Sequence, residues 1–458
     1  MKRLTDAKRQ TLLLSLTNGV VRALGLCLRM ILSRELGPEI MGISELAGSV
    51  HMLAITPLTS GLPMAISRLT AKVDRDNQQK PLLAGIWFTR VVSAFLIPPL
   101  LLLSPLIARL MGDARVLPSL WFTAPCVMIL GYSASLNGYC YGMEQSALPA
   151  GSELLEQLCR VFFCLLLIKA LPCLTAPWLA AIPVAATMAA EIMGLIFVLR
   201  RVPQLPRGLR VADGWKRAVF RLAAPATLTR LMQTGLRSLT AILIPLRLQA
   251  SGLAAAEATA RLGMLNGMAM PLLMLPCIFT SALSMVSMPK LAKAENQPKT
   301  LKRLLWQCAG ACLSVGALCS ALLWLAAPFI SSRIYRQAEL TALLRFCAPL
   351  TAVIAVSHFS GGVLTALGRQ KQAMYGATLS AGLSLGLTWL LAARPHLRLQ
   401  GVAWAHYAAN AASLLWNAGV LLKGFTGDKS GPFPPSPGRP GDTPPAAAAT
   451  KGRVWRFS

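Results

Sequence analysis

Residues 11–33 read TLLLSLTNGVVRALGLCLRMILS, an apolar stretch that contains two arginines. A helix that crosses the hydrocarbon core of a bilayer needs about 20 mostly apolar residues, so this stretch predicts a transmembrane helix. Arg22 and Arg29 are separated by nearly two helical turns, which places both side chains on one face. A charge inside a bilayer is costly, and this face is therefore predicted to line a polar interior rather than lipid.

Similar apolar runs continue along the chain, separated by polar or Gly/Pro-rich breaks. Hydrophobic residues make up 55% of the 458 residues and charged residues only 14%, whereas soluble proteins carry about 25% charged residues. The composition excludes an ordinary soluble enzyme and predicts an all-α polytopic membrane protein with about twelve transmembrane helices. The predicted spans are 11–33, 41–63, 84–108, 118–141, 153–171, 177–199, 218–246, 258–286, 304–330, 340–367, 371–393 and 399–422.

The basic residues indicate how these spans are oriented. The chain has 45 Lys and Arg against 17 Asp and Glu, a formal net charge of +28. Most of the cations fall in alternate loops and at both termini, and loops rich in Lys and Arg stay in the cytoplasm. We therefore predict a multi-pass protein of the bacterial cell membrane with both termini cytoplasmic. The positive charge then requires no nucleic-acid partner.

The sequence contains two similar halves, which lie on either side of its longest basic loop. Ile31–Gly37 is similar to Ile244–Gly252, and the Arg22/Arg29 spacing recurs at Arg230 and Arg237 in the first span of the second half. This pattern predicts two pseudo-symmetric six-helix lobes around a central cavity, an arrangement typical of alternating-access transporters. The predicted organisation is a basic N-terminus at 1–10, lobes at 11–199 and 218–422, a basic linker at 200–217, and a disordered Pro/Gly-rich tail at 423–458.

Arginines inside the spans are the candidate site. Guanidinium groups bind phosphate oxygens through two parallel hydrogen bonds, so a cluster of them suits a polyanion. In a pseudo-symmetric molecule the first spans of the two halves face each other across the cavity. The predicted substrate-binding residues are Arg22, Arg29, Arg230, Arg237 and Arg261. The alternative, in which these arginines pair with backbone carbonyls, Glu45 and Glu257 in structural roles, stays open.

Other residues receive structural or mechanical interpretations. Arg160 and Glu191 lie at similar predicted depth in neighbouring spans, and we expect a structural ion pair. Proline and glycine inside a span interrupt or weaken the helical hydrogen bonding. We therefore predict hinges at Pro57, Pro63, Gly267, Pro271 and Pro276. The sequence has no Walker A, Ser/His/Asp or HExxH pattern and no Cys/His cluster with metal-ligand spacing. We expect no enzyme activity, no bound metal and no cofactor.

Several ordered motifs resemble a known group of transporters. Val21–Gly25 with Leu32–Gly37, and Gly61–Arg68, resemble the first two spans of oligosaccharidyl-lipid flippases. Gly138–Gly142 and Ala258–Pro271 resemble the stage V sporulation protein B-like branch. The chain is thus similar to the multidrug/oligosaccharidyl-lipid/polysaccharide exporter superfamily, in its polysaccharide biosynthesis branch, which is related to the lipid II flippase.

That resemblance implies a cargo and a direction of transport. The cargo would be an undecaprenyl-pyrophosphate-linked oligosaccharide or a peptidoglycan precursor, moved from the inner to the outer leaflet by alternating access through the cationic cavity. The expected partners are this polyprenyl-pyrophosphate-linked glycan and the lipid bilayer, and contacts with envelope or spore-wall synthesis enzymes stay open. The membrane potential could supply direction, and coupling to Na⁺ or H⁺ is also left open.

Two other functions stay open from the sequence. One is a multidrug or cation antiporter of the same fold, which would need a carboxylate in the cavity to bind its cation. The other is a non-transporting membrane scaffold for envelope or spore-wall assembly. The spans that contain Arg22 and Arg230 have no such carboxylate, and their excess of positive charge disfavours both alternatives.

Overall fold

The computed structural model describes residues 2–74, 77–202, 211–294 and 297–426, and the regular secondary structure in these ranges is entirely helical. Six helices are long and apolar enough to cross a membrane, or up to eight if each of two bent helix pairs is one span. The all-α polytopic membrane fold is therefore confirmed.

Helices follow the predicted spans in order. The first half contains α1 (Lys2–Thr59), α2 (Gly61–Thr70), α3 (Gln79–Leu102), α4 (Ser104–Leu110), α5 (Leu117–Gly142), α6 (Ala147–Ala170) and α7 (Ala176–Leu199). The second half contains α8 (Asp213–Ala250), α9 (Ala255–Leu262), a π-helical segment (Gly263–Ala269), α10 (Met270–Leu273), α11 (Pro276–Lys293), α12 (Pro298–Phe329), α13 (Leu340–Cys347), α14 (Leu350–Ala366), α15 (Gln370–Leu391) and α16 (Arg398–Thr426). The two halves meet mainly where α1 and α2 contact α8, α9 and the π-helical segment.

The first two predicted spans are the two halves of one bent helix. Inside α1 the backbone leaves helical geometry at Gly37, whose φ is +76°. Glycine adopts this left-handed conformation without the steric penalty of a Cβ atom, and Pro38 has no N–H to continue the hydrogen-bond ladder. The corner between the spans therefore needs no separate loop.

Three predicted boundaries change in the structure. The predicted linker 200–217 is too long, because α8 begins at Asp213. Asp213 lies in the first helical turn, where a negative charge is favoured, and accepts a hydrogen bond of 2.9 Å from Lys216. The basic N-terminus is continuous with α1, and α16 extends to Thr426. The rest of the predicted tail, 427–458, and residues 203–210 lie outside the described ranges.

The two lobes are packed backbone to backbone at the Gly37 end of the molecule. A Cβ atom on Gly42 would lie 1.9 Å from the carbonyl oxygen of Thr259, and one on Gly263 would lie 1.9 Å from that of Pro38. A cluster of buried apolar side chains includes residues of both lobes, among them Leu46 of α1 and Leu262 of α9. The cleft between the lobes is consequently closed at this end.

A polar contact adds to this closure. Asp113, in the loop before α5, accepts hydrogen bonds from Thr259 Oγ1 at 3.1 Å and Arg115 Nη2 at 2.8 Å. Arg115 also forms an ion pair with Glu39 on α1. Burial by itself raises the pKa of the Asp113 carboxyl. The hydrogen bonds and positive charge of Arg115, together with the hydrogen bond from Thr259, lower this pKa by more than burial raises it. The net result is a pKa below the usual value for aspartate.

Replacing Gly42 should separate the lobes at the closed end. We expect Gly42→Ala to lower the free energy of unfolding by about 1–3 kcal/mol, because the added methyl group overlaps the Thr259 backbone. Thermal unfolding of the purified protein in detergent measures the effect. Gly310→Ala is the matched control, because a Cβ atom there meets nothing within 4 Å. Equal stability of the two variants would show that the crossing is not tight.

The Asp113 contact should stabilise the protein only while its carboxylate is charged. Because its folded-state pKa is lowered, the stabilisation is complete above the unfolded-state value of about 3.9 and disappears as the pH falls through the folded-state value. We expect Asp113→Asn to be less stable than wild type at about pH 7, with the difference shrinking below about pH 4. Thermal unfolding across this range tests it, with exposed Asp74→Asn as the control. A difference that is independent of pH contradicts the assignment.

Candidate functional site

A cavity of about 850 Å³ lies between the second half of α1 and α8, and we call it the central cavity. Its lining residues recur every three or four positions, so each helix contributes one face. The α1 face carries Glu45, Gly48, Ser49, Met52, Thr56 and Thr59, Ser60 and Met64 follow at the start of α2, and the α8 face carries Ala226, Arg230, Gln233, Thr234, Arg237, Ser238 and Ala241. Most of the lining residues are therefore polar or charged although these helices belong to membrane spans.

Arg29 also reaches the central cavity, from the first half of α1. Its guanidinium forms an ion pair with Glu45 on the second half, across the bend at Gly37. Their side chains are 40% and 20% exposed, so the pair is partly shielded from solvent. Glu45 neutralises Arg29, and this acid was noted in the sequence as one of its few candidate partners.

Arg230 and Arg237 remain uncompensated. They lie two turns apart on α8, both are exposed to the cavity, and their charges are close enough to interact. Neither forms an ion pair within 4 Å among the described residues. The central cavity therefore carries two positive charges in excess.

Arg22 does not line the central cavity. Its charge acts on Glu153 of α6, on Cys277 of α11 and on His358 of α14, so it is near both lobes. Within the described ranges Arg22 has no ion-pair partner at 4 Å or less. The structure thus brings Arg29, Arg230 and Arg237 together in the central cavity and leaves Arg22 outside its lining.

Arg261 is elsewhere, which corrects the expectation that the five arginines share one cavity. It lines a different pocket of about 360 Å³ with Glu339 and His396. Its guanidinium is 2.7 Å from Glu339 Oε2 and 3.3 Å from Glu257 Oε1. Two nearby acids hold the Arg261 side chain in this pocket. Glu257 lies one turn earlier on the same helix, and Glu339 lies immediately before α13.

Another cavity, of about 250 Å³, lies beside Arg237 within the second lobe. Asn266, Ser384, His406 and Asn410 line it. The Nε2 atom of His406 and the Oγ atom of Ser384 are buried there without a hydrogen-bond partner. This group could not be predicted from the sequence, because its members come from three separate helical segments. The one indication of it in the sequence is the presence of isolated polar residues inside apolar runs.

Arg160 and Glu191 do meet inside the first lobe. Arg160 Nη2 on α6 lies 3.5 Å from Glu191 Oε1 on α7. A second carboxylate, Glu156, is buried beside them and accepts a hydrogen bond of 2.6 Å from Ser152. Gln157 Oε1 accepts a hydrogen bond of 3.3 Å from Arg160. The sequence analysis did not single out Glu156 as a charged member of this group.

Helical breaks occur close to the predicted hinge residues. The chain is interrupted at Ser60, between Pro57 and Pro63, where α1 ends and α2 begins. The second lobe bends by 44° between Leu273 and Pro276, just after Pro271 and the π-helical segment that contains Gly267. Movement about these points stays a prediction.

In the parts of the chain that the structure describes, no group of three or more His, Cys, Asp or Glu side chains could hold a metal ion.

Comparison with known proteins places the sequence in a family and finds a curated relative. A family model described as "Polysaccharide biosynthesis protein" matches residues 7–295. Stage V sporulation protein B of Bacillus subtilis (strain 168) is 27% identical over 432 residues, which cover 90% of this chain and 83% of that protein.

Two solved structures have a similar fold. A multidrug resistance MATE family transporter of the MOP superfamily, in its inward-facing conformation, superposes with a TM-score of 0.72 at 14% identity, covering 87% of this chain and 94% of that one. The lipid II flippase MurJ, in an inward closed conformation, gives a TM-score of 0.70 at 14% identity, covering 89% and 86%. These matches confirm the predicted fold, and the two solved structures are those of a transporter and a flippase.

Proposed function

This chain belongs to the polysaccharide biosynthesis protein family, and we propose that it moves an undecaprenyl-pyrophosphate-linked oligosaccharide or peptidoglycan precursor from the inner to the outer leaflet of the bacterial cell membrane. The observation that carries the proposal is the pair of uncompensated arginines, Arg230 and Arg237, in the central cavity. A pyrophosphate presents several anionic oxygens, which guanidinium groups bind bidentately. The name of the structurally similar lipid II flippase supports a cargo of this class.

The size of the central cavity suits a headgroup rather than a whole lipid. Ligand pockets typically measure about 300–1,000 Å³, and this cavity measures about 850 Å³. The diphosphate and first sugars would occupy it, while the polyprenyl tail stays in the bilayer. Polar side chains such as Gln233 and Thr234 are positioned to hydrogen-bond sugar hydroxyls without adding negative charge.

The closed end of the cleft would be the outer face, with both termini in the cytoplasm. The positive-inside distribution of Lys and Arg supports this orientation, and the inward conformations superpose with TM-scores of 0.72 and 0.70, against 0.55 for an outward-facing transporter of the same superfamily. Release would require the crossing of Gly42 with Thr259 and of Gly263 with Pro38 to separate. The breaks at Ser60 and between Leu273 and Pro276 are where the helices would bend.

The charge of the empty cavity could supply direction without a cofactor. An inside-negative membrane potential favours inward return of a cationic carrier by about 2.3 kcal/mol per unit charge for each 100 mV crossed. Binding an anionic headgroup would neutralise Arg230 and Arg237 and remove this bias on the outward step. A cation antiporter is disfavoured, because Glu45, the acidic member of the described cavity lining, is already paired with Arg29.

Removing either free arginine should impair transport of the lipid-linked sugar. A hydrogen bond to a charged group contributes about 1.5–3 kcal/mol, so we expect Arg230→Ala and Arg237→Ala each to lower the translocation rate by roughly 10- to 100-fold. The measurement is headgroup accessibility of a polyprenyl-pyrophosphate-linked glycan in reconstituted vesicles. Arg221→Ala is the matched control, because this exposed arginine lies on the same helix outside the cavity lining.

Three outcomes would be informative. Wild-type translocation by both cavity variants, with normal folding, would contradict the phosphate-binding role. Export of toxic cations that depends on Glu45 would favour the antiporter instead. Loss of function only in surface-loop variants would favour a scaffold.

A further inference from the structure

An exposed arginine lies on the outside of the first lobe, halfway along a helix that is long and apolar enough to cross a membrane. Arg90 is eleven residues after the first residue of α3 and twelve before the last. We call the surface formed by Arg90 and Ala94 of α3 with Met128 and Tyr132 of α5 the Arg90 face. We propose that the Arg90 face binds a transmembrane helix of a different membrane protein, which pairs a carboxylate with the Arg90 guanidinium. This inference does not depend on the cargo.

Arg90 lies too deep for its side chain to reach either surface of the bilayer. A helix rises about 1.5 Å per residue, so Arg90 is about 16 Å from one end of α3 and about 18 Å from the other. The hydrocarbon core is about 30 Å thick, which places Arg90 near its middle. Tyr132, which Arg90 contacts, is ten residues or about 15 Å from the end of α5 and gives the same depth. Long cations reach the interface from positions near helix ends, and Arg90 is about three turns from both ends of α3.

The Arg90 side chain projects away from the second lobe and does not line the central cavity. Two residues earlier on α3, Phe88 packs against Phe220 of α8, with the ring centroids 6.1 Å apart. Successive residues of a helix are rotated by about 100°, so Arg90 projects from nearly the opposite side of α3. The apolar side chains near it include Phe95 on α3, which is 76% exposed, and Met128 on α5, which is 40% exposed. Such exposed apolar side chains on a spanning helix form the surface that contacts lipid, so Arg90 lies at a lipid-facing surface.

Contacts within the chain leave most of this guanidinium unsatisfied. Arg90 Nε donates a hydrogen bond of 3.1 Å to Tyr132 Oη. A guanidinium carries five N–H donors, and in the parts of the chain that the structure describes neither Nη atom of Arg90 has a hydrogen-bond partner. The ion pairs within 4 Å in those parts do not include Arg90. Charged side chains inside a membrane almost always pair or face water, so Arg90 lacks the partner that its position requires.

The free donors of Arg90 suit a carboxylate on a neighbouring helix. A planar guanidinium binds the two oxygens of a carboxylate through parallel hydrogen bonds. Small residues let helices approach each other closely in a membrane, and Ala94, one turn after Arg90 on the same face of α3, is exposed. A transmembrane helix with Asp or Glu near its centre would therefore lie along the Arg90 face and compensate the charge of Arg90 together with its own.

A second copy of this chain and a phospholipid both fit the Arg90 face less well. Among the exposed acids that the structure describes, Glu153 is furthest from a helix end or bend, and it is only six residues, or about 9 Å, from the first residue of α6. A second copy therefore presents no exposed carboxylate at the depth of Arg90 from the described residues. Phospholipid phosphates lie at the surfaces of the bilayer, about 15 Å from its middle. The depth of Arg90 thus favours a helix of another protein that has its acid at mid-membrane.

Binding of a synthetic helix tests the Arg90 face. The probe is a Leu/Ala transmembrane peptide with a central Glu and an acceptor dye, mixed with the full chain in phosphatidylcholine vesicles. Energy transfer from the tryptophans of the protein reports binding, and Trp87 lies one turn from Arg90. We expect wild type to bind this peptide roughly tenfold more tightly than the same peptide with a central Gln, and Arg90→Leu to lose that preference. Arg109→Leu is the matched control and should keep it, because this exposed arginine lies at the end of α4.

Equal binding of the Glu and Gln peptides by wild type overturns the proposal, and this comparison decides alone if Arg90→Leu fails to fold. A preference for Glu that persists in Arg90→Leu, or that Arg109→Leu loses equally, also overturns it. Repeating the measurement with phosphatidylglycerol in the vesicles separates a helix from a lipid as the partner. Loss of the Glu preference in these vesicles would show that Arg90 binds lipid phosphate instead, whereas a preference that is kept there and lost in Arg90→Leu supports the helix.

Discussion

Arg29 and Glu45 form an ion pair across the bend of α1 at Gly37. Gly37 makes the bend, and the ion pair connects the two halves of the helix across it while each charge compensates the other. That angle lets the second half of α1 wall the central cavity and cross α9 at Gly42. Because Glu45 is already occupied, the remaining cavity charge belongs to Arg230 and Arg237.

The same constraint on buried charge explains the contrast between the two lobes. On α8 the arginines project into an open cavity, where water or an anionic ligand can compensate them. Between α6 and α7 the charged side chains are buried instead, and Arg160 pairs with Glu191 while Glu156 lies beside them. Helix α1 reaches both places: Gly25 lies against Gln157 of α6, and the Ser49 carbonyl accepts a hydrogen bond from Ser238 on α8.

Much of the fold could be predicted because hydrophobic length is a local property. The run 11–33 and its successors follow the helices of the structure, and the spacing of Arg230 and Arg237 placed both on one face of α8. The errors fall where a distant residue decides. Arg261 pairs with Glu339, which is 78 residues further along the chain, and Glu156, one helical turn before Arg160, reaches the α7 backbone beside Glu191 only because Gly194 lets α6 approach α7. Neither contact has a signature in local spacing.

Membrane insertion, helical content and the periodic faces of the spans were already readable in the linear chain, because they depend on transfer free energies and on a helical repeat of about 3.6 residues. Which arginines stay free could be seen only after folding, since ion pairs such as Arg29–Glu45 depend on how helices bend and cross. The closed end of the cleft is likewise a property of packing: the missing Cβ atoms of Gly42 and Gly263 matter only because Thr259 and Pro38 lie against them.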